Sequence, residues 1–144
     1  MEELLTLREL LIGGNIADAL LLVEEMTEMS KDDKLNKISS FAKILLMHLI
    51  KQKAEGRTTG SWDASIDNAV FEIQKTNCRR KAGGNYLSVD ELRNAVTEAY
   101  RVALSGAAAE AFGGCYRPKQ LAVMVDRTAI LEDGYGFDFR WGER

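Results

Sequence analysis

The chain has 144 residues, 46% of them hydrophobic and 28% charged, a size and composition that suit one ordered domain burying roughly 68–70% of its unfolded surface. Its formal charge of -3 and sequence pI near 5.3 supply no basic face for phosphate backbones, so nucleic acid is disfavoured as a partner. A single proline and the acidic residues Glu2 and Glu3 after Met1 argue against long disordered tracts and a signal peptide. No apolar run approaches the roughly 20 residues of a membrane span.

Residues 2–12 carry the spacing of a short amphipathic helix, closed by Gly13 and Gly14, where glycine can adopt the left-handed turn that ends helices. Asn15 then offers a cap for a second helix over Ile16 to Met29. Ala19, Leu20, Val23 and Met26 mark its buried face, and Glu24, Glu25 and Glu28 its solvated one. Ser30, followed by acids, predicts a new start and a third, longest helix ending near Ala54, with Ile38, Phe41, Ala42, Leu45 and Leu49 as its stripe.

The loop EGRTTGS follows, and Ser61 is placed to cap a fourth helix through Trp62, Ile66, Ala69, Val70 and Ile73, ending near Arg79, Arg80 and Lys81. Ser88 and Glu91 have the spacing of a capping box for a fifth helix, with Leu92, Val96, Ala99 and Ala103 on its apolar side, reaching roughly Phe112. Gly113 and Gly114 break it. Pro118 suits the first turn of a last helix over Lys119 to about Ile130. Helices joined by short glycine-containing loops, with no strand blocks, predict an all-α antiparallel bundle of five to six helices. The domain division follows from the periods: a helical bundle over 1–133 and an extended tail over 134–144, where Tyr135, Phe137, Phe139 and Trp141 alternate with Gly136, Asp138 and Arg140.

Leu45-Leu46-Met47-His48-Leu49-Ile50-Lys51, then Ser61-Trp62 and Ile66, then Ala99-Tyr100-Arg101-Val102-Ala103 resemble the bacterial family called domain of unknown function 29, whose members carry LL-x-HLLKWQ, a Ser-Trp and an AY-x-x-A segment. The upstream GGNIADALLLVEEMTEM is similar to the family's opening helix. Gln52 stands where a tryptophan is usual, Lys53 to Gly60 lacks the common proline, and the ending is unlike the family's short close, the marks of a divergent, cyanobacterial-type member. The resemblance implies a helical fold and supplies no activity.

His48 is the chain's one histidine, and catalysis or metal binding through it would require oriented partner groups that no motif provides. A site joining it to Cys78 and Cys115 cannot be read from spacing. The simpler reading makes His48 a polar ring at the core edge, donating to a loop carbonyl or to Ser61, and makes His48 and Trp62 a clamp on the loop between two helices with the indole buried. Cys78 and Cys115 have no CxxC partner and read as small buried thiols of a cytoplasmic protein. Arg79, Arg80 and Lys81 could touch phosphate with Tyr86 nearby for stacking, or could simply sit at a negative helix C-terminus. No metal or cofactor is expected.

The aromatic stripe of the tail should be covered, either by a groove of its own bundle or by docking on a second copy or another protein. The expected function is a non-catalytic interaction or regulatory module in the cytoplasm, working with a protein partner or by self-association. The alternative is a nucleic-acid-associated regulator or antitoxin-like partner that uses the Arg79 to Lys81 cluster.

Overall fold

A computed structural model describes residues 2–79 and 83–139. Among them the chain is all-α: α1 (Glu2–Ile12), α2 (Ile16–Glu55), α3 (Gly60–Asn77), α4 (Val89–Glu110), α5 (Pro118–Ala122) and α6 (Arg127–Tyr135), with a 3-10 turn over Ala111–Gly114 after α4. The expected helical bundle is present with six helices. The chain divides into two compact units, Met1–Lys34 and Leu35–Arg144.

The first unit holds α1 and the beginning of α2. Gly14, at φ 76, closes α1 in the left-handed conformation, and the Asn15 N–H donates to the Leu10 carbonyl at 2.9 Å. Asn15 caps α2 as expected, its side-chain oxygen accepting the Asp18 N–H at 3.3 Å. Ser30 is not a cap. Helix α2 runs unbroken through it for 40 residues, because no glycine or proline stands between Ile16 and Glu55 and a lone serine costs a helix interior only a fraction of a kcal/mol.

The second unit contains the core. The last part of α2 supplies Ile38, Ala42, Leu45, Leu46, Leu49 and Ile50; α3 supplies Ile66, Ala69 and Ile73; α4 supplies Leu92, Val96 and a run of alanines, and Leu121, Ile130 and Leu131 close it from α5 and α6. Small residues set how closely these helices approach. A Cβ on Gly106 would lie 3.0 Å from the Met47 sulfur, and one on Gly134 would lie 3.3 Å from Leu46 and 3.4 Å from Val96.

Local chemistry moved several expected boundaries. Thr59, not Ser61, caps α3: its backbone is extended and its hydroxyl accepts the Trp62 N–H at 3.1 Å, so Gly60 is already helical. At the other end α3 stops at Asn77, before the basic residues, because the fully buried Asn77 side chain accepts the Leu87 N–H at 2.8 Å and its carbonyl accepts the Tyr86 N–H at 2.8 Å. The capping box at Ser88 and Glu91 forms as expected. Helix α4 stops at Glu110, two residues short of Phe112, which is left-handed at φ 53. The last expected helix is two. Pro118 opens α5 as predicted, but Asp126 accepts the N–H groups of Thr128 and Ala129 at 3.0 and 3.3 Å and so starts α6 afresh. Helix α6 then runs through Gly134 and Tyr135, where an extended tail was expected.

Candidate interaction surfaces and the polar cluster at His48

Three helices contribute to the cluster around His48. His48 and Lys51 stand one turn apart near the end of α2, Trp62 opens α3, and Glu110 closes α4. His48 is 7% exposed and Lys51 3%. The Lys51 ammonium donates to the Glu110 carboxylate at 3.2 Å and lies 4.6 Å from the centre of the Trp62 ring. Arg57 lies 4.9 Å from the same ring and is held by Glu55 at 3.0 Å. Glu55 also accepts the Phe112 N–H at 3.4 Å, tying the strained end of α4 back to α2.

This arrangement solvates a buried lysine with one carboxylate and one aromatic quadrupole. Burial, and then the Lys51 charge, hold the His48 pKa below the ordinary imidazole range, with Glu110 pulling the other way. His48 Nδ1 finds no hydrogen-bond partner among the described residues, and Ser61 is exposed, so the expected donation to Ser61 is absent. Trp62 is half-buried and stacked under cations, not sunk in the core as expected. The loop is pinned instead by Gln52, whose amide donates to Thr58 at 2.8 Å and Asp63 at 3.2 Å, while Thr58 donates to Asp63 at 2.7 Å.

The aromatic stripe lies partly on its own unit. Tyr135, Phe137 and Phe139 line an open groove of about 340 Å³ with Val89, Leu92 and Val96 of α4. Phe139 is buried and Phe137 half-buried. The Arg93 guanidinium sits 4.4 Å from the Tyr135 ring centre, the Tyr135 hydroxyl bonds Thr97, and Gln74 donates to the Asp138 carbonyl at 2.5 Å. Trp141 lies outside the described residues.

Of the basic cluster, Arg79 is exposed and lies 5.7 Å from the Tyr86 ring centre; Arg80 and Lys81 lie outside the described residues. Arg79 stands two residues beyond the end of α3, in the turn where its carbonyl accepts the Gly83 N–H at 3.0 Å. Both cysteines are free, but Cys78 is half-buried and Cys115 exposed, not buried as expected. Cys115 follows three left-handed residues, Phe112, Gly113 and Gly114. No group of three or more His, Cys, Asp or Glu able to hold a metal occurs among the described residues, so His48, Cys78 and Cys115 do not converge there.

The family model for Domain of unknown function DUF29 matches residues 15–113. The chain belongs to the DUF29 family. No curated protein and no solved structure matches it. The matched span contains the Leu45 to Lys51, Ser61-Trp62 and Ala99 to Ala103 motifs and all of GGNIADALLLVEEMTEM but its first two glycines, and the structure shows what most of the central residues do: Leu45, Leu46, Leu49, Ile50, Ile66, Ala99, Tyr100 and Ala103 are core, while His48, Lys51 and Trp62 build the polar cluster. In this DUF29 chain Gln52 holds the loop by hydrogen bonds. Helix α1 and everything after Gly113 lie outside the match.

One surface was missed in the sequence. In the first unit of this DUF29 chain Ala19 is the one buried residue among those described, and Leu4, Leu5, Leu11, Ile12, Ile16, Leu20, Leu21, Val23 and Met29 are exposed. Leu20 and Val23 were expected on a buried face. A signal existed: Ile16, Leu20 and Val23 form a stripe beside the one through Ala19, Leu22 and Met26, giving α2 an apolar arc too wide for one short neighbouring helix. Among the described residues no helix is long and apolar enough to cross a membrane.

Proposed function

We propose that this DUF29 chain is a non-catalytic helical interaction module of the bacterial cytoplasm, where Cys78 and Cys115 remain reduced thiols. The observation that carries this reading is the cluster of exposed apolar residues in the first unit, with Ile12 at 74% and Leu20 at 59% exposure. Contiguous exposed apolar patches are characteristic of protein contacts, and on α2 Ile16, Leu20 and Val23 share one exposed stripe at helical spacing. The division of labour follows from burial: the second unit supplies the stable core, and the first supplies the surface that engages a partner. Affinity purification of the full chain from its source cells, followed by reconstitution with the purified partner, tests the reading. A complex of defined stoichiometry in sedimentation is the expected outcome. Retrieval of DNA or RNA with steeply salt-dependent binding would replace it with the nucleic-acid reading, in which Arg79 and its basic neighbours carry the contact.

A further inference from the structure

Helix α1 has 11 residues and none of them is buried. Isolated helices below about 12–15 residues are marginal in water, so α1 gains most of its order from whatever covers it. Each of the two helices carries exposed apolar side chains at helical spacing. Leu4 and Leu11 recur at seven residues on α1, with Ile12 beside them, and Ile16, Leu20 and Val23 recur at four and three on α2; all six are exposed.

Charge narrows the occupant. Residues 1–34 carry nine acids against three bases, a balance of -6, although the whole chain stands at -3. Glu9, Asp18, Glu24, Glu25 and Glu28 are all exposed around the apolar positions. A second copy docking the same face on itself would set like charges together, and nucleic acid or an anionic lipid surface would be repelled. A basic-flanked apolar partner meets both requirements at once.

We propose that the exposed apolar face of Leu4, Leu11, Ile12, Ile16, Leu20 and Val23 is a docking site for a basic amphipathic helix of another protein. This rests on the interaction-module reading and names its surface and the chemistry of its partner. The mode is helix recognition through anchors at three- and four-residue spacing, with the acids around the face pairing lysines or arginines on the incoming helix. Electrostatic complementarity then sets the encounter rate and rejects acidic helices.

The test uses the full chain and two synthetic helices of about three heptads, each with a leucine seam, one flanked by lysines and one by glutamates. Fluorescence anisotropy should show the lysine helix binding at least about tenfold more tightly than the glutamate helix, with the advantage shrinking as salt rises. The double variant Ile12→Ser, Leu20→Ser should abolish binding while the thermal melting of the chain is unchanged. Equal affinity for both helices, binding to neither, or binding that survives the double variant overturns the proposal. Light scattering that finds a dimer of the chain alone, converted to monomer by the same variant, overturns it in favour of a second copy. The double variant also separates the two readings in the reconstituted native complex. A complex that survives Ile12→Ser, Leu20→Ser removes this surface and leaves the interaction module standing; a chain that forms no complex removes the module.

Discussion

Residues 2–34 and 35–139 use the same helical alphabet with opposite results. In the later segment the stripe Ile38, Ala42, Leu45, Leu49 is buried, and in the earlier one Ile16, Leu20 and Val23, with the same four- and three-residue spacing, face solvent. The difference lies in neighbours, since the end of α2 shares a core with α3, α4 and α6, whereas α1 contributes no fully buried residue and only Leu7 and Leu10 are half-buried. Periodicity therefore reports that a face is apolar, not that the chain itself covers it.

The sharpest way to break the comparison is to truncate equal side chains in the two segments. Leu46→Ala, at a fully buried position, should cost about 2–5 kcal/mol in chemical denaturation. Overpacking tests the same core from the other side: Gly134→Leu places a side chain against Leu46 and Val96 and should cost about 1–3 kcal/mol. Comparable losses at Leu20 would show that the first segment is covered after all.

Trp62 sits between these extremes. Being half-buried under Lys51 and Arg57, it should lose about 1–3 kcal/mol on Trp62→Ala, less than a fully buried indole would. A shift in melting temperature of the full core size would mean that the cationic sandwich is a minor part of its environment.

His48 sharpens the comparison through pH. Its pKa is lowered by burial first, so the folded state prefers the neutral ring and the unfolded state binds the proton more readily. The stability it contributes is complete above the unfolded imidazole value of about 6.5 and is lost as pH falls through the lowered folded value. Melting curves across that window should show a decline that His48→Gln reduces, and a variant with the parent slope would place the titration elsewhere. The smallest effect belongs to the first segment: Leu20→Ala should change stability by no more than about 0.5 kcal/mol, read in the same denaturation experiment as Leu46→Ala.

Local chemistry was legible in the sequence alone. The all-α class, the Asn15 cap, the capping box of Ser88 and Glu91, the proline at the start of α5 and the apolar stripes of α3 and α4 all follow from interactions within one or two turns, which the order of residues specifies directly. Tertiary structure decided where competing local signals were resolved and which apolar faces were covered. Asn77 ends α3 because residues ten positions later use its side chain. The Lys51 to Glu110 pair joins groups 59 residues apart, a proximity no spacing rule contains. Burial depends on atoms that are distant along the chain, so the same stripe becomes core after Leu35 and surface before it.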